Sequence, residues 1–230
     1  MKTIGILGGI GPQATMALEA QIHAVAQELI PPDRNAGYPP LMVLYLRHAP
    51  LLLSDDGVTP VLPLSPDPRL LQAAETLGSR ADFIIIASNT PHLFRQEIEQ
   101  AAGQPVLSMV DLAVAEAQRR KPTRVGVLGL GDPTVYRVPL DQQNIAYEII
   151  PADLRERLDR AIWALMEGRE DRHSRAAAIE AVAYLRARDA DVIILGCTEI
   201  PLLLGDDADA PDLIDPSKLL AEAAVRHALD

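Results

Sequence analysis

The sequence predicts an α/β protein of two similar lobes, each a doubly wound parallel sheet, and three observations carry that prediction. Short β-branched apolar runs alternate with Ala/Leu/Glu-rich stretches of helical period, the pattern of βαβ units. The strand-like runs are apolar throughout, as in a sheet covered by helices on both faces. Blocks of sequence also recur, in the same order, in the two halves of the chain.

Taken along the chain, strands are expected at 3–7, 41–46, 82–87, 106–109, 124–128, 145–150, 191–195 and 213–214. Helices are expected at 12–29, 68–80, 92–101, 111–119, 133–143, 152–167, 172–188 and 217–228. Pro12 suits the first turn of a helix, where an N–H has no partner anyway, and Pro68 does the same for the second. On the helix at 152–167, Trp163 reads as a core residue.

The repeat is direct. Thr3-Ile4-Gly5-Ile6-Leu7-Gly8-Gly9-Ile10-Gly11-Pro12 resembles Arg124-Val125-Gly126-Val127-Leu128-Gly129-Leu130-Gly131-Asp132-Pro133. Ala81-Asp82-Phe83-Ile84-Ile85-Ile86-Ala87-Ser88-Asn89-Thr90 resembles Ala190-Asp191-Val192-Ile193-Ile194-Leu195-Gly196-Cys197-Thr198-Glu199. Each second block leads to a similar short strand. An N-terminal lobe of 1–112 plus 212–230 and a C-terminal lobe of 113–211 are expected, related by a pseudo-twofold axis with the site in the cleft between them. Ligands of open α/β sheets sit beyond the carboxyl ends of the strands. Ser88 and Cys197 hold equivalent strand ends, so they would approach one ligand from opposite sides, the arrangement that stereoinversion needs.

Composition narrows the function. A chain of 230 residues, 48% apolar, fits one large α/β domain or two small ones with a sizeable core. A formal net charge of −11 argues against a nucleic-acid partner, which calls for a basic face. If the substrate is an anion, positive potential must come locally, from helix N-termini and a few cations. No apolar run reaches the roughly 18 residues that span a bilayer, so no membrane partner is expected. The N-terminus enters a strand at once and lacks the form of a signal peptide, which points to a cytoplasmic protein. One cysteine excludes an intrachain disulfide and any multi-cysteine zinc site. Neither a metal nor a cofactor is expected.

Four segments carry candidate chemistry. Gly8-Gly9-Ile10-Gly11-Pro12 joins the first strand to the first helix; it reads as a structural turn, a carboxylate-binding loop or a nucleotide loop. The nucleotide reading is weakened by Pro12, which lacks an N–H, and by Arg47 at the end of the second strand, where an acid would hold a ribose. Ser88-Asn89-Thr90-Pro91-His92 follows a buried strand and either caps the next helix or binds a carboxylate through Asn89, Thr90 and nearby amides. Gly196-Cys197-Thr198-Glu199 is the sharpest motif. A thiol at a strand end, before a helix N-terminus expected to lower its pKa and two residues from an acid, suits proton transfer at a carbon beside a carboxylate. Arg47 is a candidate anion grip, and the proline-rich stretch 59–68 reads as a stiff loop or a lid.

At these residues the sequence resembles the aspartate/glutamate racemase family of pyridoxal-phosphate-independent enzymes, the archaeal-type aspartate racemases above all. The likeness runs over nearly the whole chain, through Ile4-Gly5-Ile6-Leu7-Gly8-Gly9-Ile10-Gly11-Pro12, Asn89-Thr90-Pro91-His92, Gly196-Cys197-Thr198-Glu199 and Leu213-Ile214-Asp215-Pro216. The resemblance implies a cofactor-independent isomerase acting on a small carboxylate or amino acid, commonly as a homodimer. It implies one proton-transfer cysteine at Cys197. Asn89, Thr90 and Thr198, with amides of the loop holding Gly9 and Gly11, are expected to hold the α-carboxylate, and Glu199 is expected to orient or deprotonate Cys197.

Departures from the pattern matter equally. Ser88 stands where the family has its first cysteine, and a hydroxyl is a far weaker acid than a thiol. The family's Thr-rich segment reads Gly129-Leu130-Gly131-Asp132-Pro133-Thr134, the segment Arg47 to Asp56 is unlike the Arg-containing loop of aspartate racemases, and Met166 replaces a lysine. An engineered cysteine-to-serine change, a natural one-thiol decarboxylase or isomerase, and a degenerate acid-binding homologue all accommodate Ser88.

Overall fold

The structure is a computed structural model, and it describes residues 1–32, 37–57 and 59–230. Two compact units emerge: Met1–Met109 with Ser217–Asp230, and Val110–Pro216.

In the first unit β1 (Ile4–Gly8), β2 (Leu41–Tyr45), β3 (Phe83–Ile86) and β4 (Val106–Leu107) form a parallel sheet in the order β2-β1-β3-β4. It carries α1 (Pro12–Leu29), α2 (Pro68–Gly78) and α3 (Arg95–Ala102), and the chain leaves through α4 (Met109–Arg120). The second unit repeats the plan. Strands β5 (Val125–Leu128), β6 (Tyr147–Ile149), β7 (Val192–Leu195) and β8 (Leu213–Ile214) pair in the order β6-β5-β7-β8. Helices α5 (Thr134–Gln142), α6 (Ala152–Met166), α7 (Arg172–Arg186) and the short α8 (Ile200–Leu204) accompany them, and α9 (Pro216–Leu229) closes the chain.

Fully buried β1, β3, β5 and β7 explain the unbroken apolar runs: with both faces covered, no position is left for a polar residue. Helices are set by local chemistry. Asp67 caps α2 by accepting from the amide of Arg69, and Asp171 with Ser174 forms a capping box at α7. On α6, Leu154, Leu158, Ala161, Ile162 and Leu165 make the buried stripe against α7. Trp163 falls outside that stripe and is 50% exposed, so it is a surface residue and not the core residue expected.

The lobe boundary also needs correction. Leu213 and Ile214 were expected in the N-terminal lobe, yet β8 pairs with β7 and completes the second sheet. Only the last helix returns to the first unit, where Ala228 accepts from the amide of Lys2 and the His227 ring meets Phe83 edge-on at 4.6 Å. The stretch 59–68 is pinned in place. Leu51 bridges Pro66 and Leu53 bridges Pro60, while the Asp56 carboxylate accepts from the Ser54 hydroxyl and from the amide and hydroxyl of Thr59.

Candidate active site

Strand register fixes which residues correspond in the two units. Leu7 pairs with Ile86 and Leu128 with Leu195, so the residues two steps on, Ser88 and Cys197, are equivalent. The correspondence extends to single hydrogen bonds. The amide of Ala87 donates to the Leu7 carbonyl at 3.0 Å, and that of Gly196 to the Leu128 carbonyl at 2.9 Å. At the other strand ends, Asp82 and Asp191 each place Oδ2 on the matching backbone, at Thr3 and Arg124.

Cys197 stands at the carboxyl end of β7, 8% exposed, with its Sγ donating to Glu199 Oε2 at 3.0 Å. The Thr198 hydroxyl donates to the same oxygen, also at 3.0 Å, and Glu199 is 3% exposed. Burial pushes the Cys197 thiol well above its usual range, and the Glu199 carboxylate beside it adds to the effect. This corrects the expectation of a thiol lowered by a helix N-terminus. The helix that follows is only five residues long, and a carboxylate, not a cation, faces the sulfur. The Thr198 hydroxyl, bonded to that carboxylate, helps to position it.

The Cys197 segment leaves its strand through Gly196, where a Cβ would strike the Leu128 carbonyl and lie 2.7 and 2.9 Å from the Tyr136 ring. That glycine lets a fully buried tyrosine pack directly under the segment. Beside it runs Gly129-Leu130-Gly131, and the amide of Gly131 donates to Asp159 Oδ1 on α6 at 2.9 Å. Asp159 is near enough to Cys197 for its charge to help hold the proton on the thiol.

In the first unit, the turn after β1 is locked from within. Gly9 takes φ +81°, and a Cβ there would sit 2.5 Å from the Tyr45 Cα, so only glycine fits. Its amide donates to the Thr15 hydroxyl at 2.8 Å, which itself donates to the Gly11 carbonyl at 3.0 Å. The Gly9 amide is therefore occupied and is not the ligand donor expected of it; Gly9 provides the close approach to β2. The amide of Gly11 makes no hydrogen bond among the described residues and keeps its candidate role. Arg47 lies exposed just past β2.

Ser88 is half-buried after β3, Asn89 is 5% exposed, and Thr90 opens a 3-10 turn, Thr90–Phe94, ahead of α3. His92 Nδ1 lies 3.0 Å from the Ser88 carbonyl and 3.1 Å from that of Asn89. A carbonyl only accepts, so Nδ1 carries the proton and braces the turn.

These two strand ends, one bearing a thiol on a buried carboxylate and the other a serine-asparagine-threonine turn, belong to a recognisable pattern. Residues 7–224 match the Asp/Glu/Hydantoin racemase family. The chain is a member of that family. A broad specificity amino-acid racemase, RacX, of Bacillus subtilis is 25% identical over 226 residues, covering 96% of each chain. Among solved structures, the aspartate racemase of Picrophilus torridus superposes with a TM-score of 0.80 at 21% identity, over 99% of this chain and 94% of that one. An aspartate racemase homologue from Pyrococcus horikoshii gives 0.74 at 21% identity over the whole of both. The fold of two four-stranded parallel sheets is that of these neighbours, and membership of the racemase family makes the protein an isomerase.

Among the described residues no group of histidine, cysteine and acid side chains is placed to hold a metal ion, and no helix is long and apolar enough to cross a membrane. Sequence reasoning missed Asp159 and Tyr136. Asp159 looks like any solvent-facing acid of an amphipathic helix, and Tyr136 lies past the glycine segment; only the folded positions of Gly131 and Gly196 reveal them.

Proposed function

We propose that this racemase inverts the α-carbon of an amino acid by direct proton transfer, without a cofactor, and that Cys197 serves one face of that carbon. The observation that carries the reading is the buried Sγ–Oε2 contact of 3.0 Å between Cys197 and Glu199 at a strand end. A resting thiol on a carboxylate is a ready proton relay. Moving the Cys197 proton to Glu199 leaves a thiolate and a carboxylic acid; the thiolate then takes the α-proton, and the C–H electron pair stays on the substrate, delocalised into its carboxylate. Asn89, Thr90 and the Gly11 amide are the donors for that carboxylate. Preorganised donors and exclusion of water are what make such an anion accessible without an electron sink.

A proton must return to the opposite face for inversion. The equivalence of the two strand ends supports Ser88 for that role, and its hydroxyl gives up a proton far less readily than a thiol. The Cys197 face is therefore fast and the Ser88 face slow. Ser88 is also the observation that favours a second reading, a one-thiol decarboxylase or isomerase of small carboxylic acids, or an acid-binding homologue without turnover. The proposed assembly is a homodimer, as the family resemblance implies, and the proposed location is the cytoplasm.

Reaction in deuterated water separates these readings. The racemase reading expects solvent deuterium at the α-position, quickly in one enantiomer and slowly in its mirror image, with loss of optical purity. Label on one face with optical purity fully retained would support a one-thiol enzyme, and binding with no exchange would leave only an acid-binding protein.

A further inference from the structure

Gly129 abuts the Cys197 segment: a Cβ on it would lie 3.6 Å from the Gly196 carbonyl. Two residues on, at the head of α5, the Gly131 amide is filled by Asp159 Oδ1 at 2.9 Å. An acidic side chain reaching for that amide would meet a carboxylate instead. Asp159 is half-buried and makes no ion pair among the described residues. Arg155, one turn earlier on α6, acts on it only at range, and Glu156 opposes Arg155. Burial pushes the Asp159 carboxyl up, so a cation arriving there would gain a partner for a desolvated charge. The charges bearing most on Cys197 are likewise both carboxylates, Glu199 and Asp159, and the chain as a whole carries −11. Neither of these two charges offers the positive potential that an acidic substrate requires.

We infer that Asp159 receives the side chain of the substrate and that this side chain is cationic, so the preferred substrate is a basic amino acid. The inference rests on the racemase reading above. An anionic side chain would face Asp159 across a site of low dielectric, while an ammonium or guanidinium group would pair with its Oδ2.

The test is α-deuterium incorporation, followed by proton NMR with the full chain, into L-lysine, L-methionine and L-aspartate. Lysine is expected to exchange fastest and aspartate slowest. Asp159→Asn keeps an acceptor for the Gly131 amide, and an unchanged melting temperature checks that it does. In that variant the ratio of exchange into lysine over methionine should fall by about tenfold or more, chiefly through KM for lysine, because any change at the Cys197 thiol acts on both substrates alike. Equal losses on all three would mean that Asp159 serves the common α-ammonium group or the fold, and would overturn the inference; so would a preference for aspartate in the unaltered protein. Exchange into none of the three, in the unaltered protein and in Ser88→Cys alike, would instead overturn the racemase reading and this inference with it.

Discussion

The turn after β3 and the turn after β7 are built on the same backbone and carry different chemistry. Each follows a strand of four fully buried residues, each begins with an amide bonded to the central strand of its sheet, and each places a small polar side chain two residues past the strand. The first offers Ser88, a half-buried hydroxyl, over a turn braced by His92. The second offers Cys197, a buried thiol already bonded to Glu199, over a segment held down on Tyr136. The difference teaches that a duplicated scaffold constrains the main chain far more than the side chains at its strand ends. One end can specialise while the other keeps only the frame.

The comparison breaks most visibly at the reacting groups. Cys197→Ala should lower α-deuterium exchange by about three orders of magnitude or more while leaving the fold intact, whereas Ser88→Ala should leave exchange on the Cys197 face within a few-fold and remove the slow inversion. Deuterium incorporation and chiral analysis of substrate and product check both. Similar losses in the two variants would mean that the two ends share the work equally.

The glycine turns give the next largest contrast. Gly9→Ala must open the contact with β2 in addition to holding φ +81°, and should cost about 3 kcal/mol in urea unfolding. Gly131→Ala, at φ +63° with open space around it, should cost about 1 kcal/mol. Equal costs would show that the turn after β1 is less tightly locked than its hydrogen bonds indicate.

Restoring a thiol sharpens the asymmetry. Ser88→Cys should raise the slow inversion step by about tenfold, since a thiol ionises near pH 8.5 and a hydroxyl does not. No gain would place the rate limit elsewhere. The smallest effect concerns pH. The Cys197 thiol is raised first by burial and then by Glu199, so in Glu199→Gln the repulsion of the thiolate disappears while burial remains. The alkaline limb of iodoacetamide alkylation should therefore move to lower pH, though not as far as a free thiol. A move upward would mean that Glu199 stabilises the thiolate.

Sequence patterns made the architecture legible because buried parallel strands and capped amphipathic helices have strong local signatures. What they hid was decided by contacts between distant segments. The strand Leu213–Ile214 was visible as a strand, but its lobe depended on pairing with β7. Trp163 had the period of a helix, yet the stripe that packs on α7 passes beside it. At the site, Cys197 and Glu199 stood out as a motif, while the sign of the thiol shift turned first on burial and then on the carboxylate facing the sulfur. The same holds for Gly9, whose amide is taken by a threonine six residues away, and for Asp159, known only through its bond to Gly131.

The account stands on the two strand ends serving one substrate carbon. A crystal structure of the Cys197→Ser variant with its amino-acid substrate tests this most directly. It should show the α-carbon within about 4 Å of both residue 197 and Ser88, on opposite faces, at the distances of a near-attack arrangement. A substrate bound at one strand end alone, with the other hydroxyl out of reach of that carbon, would contradict it.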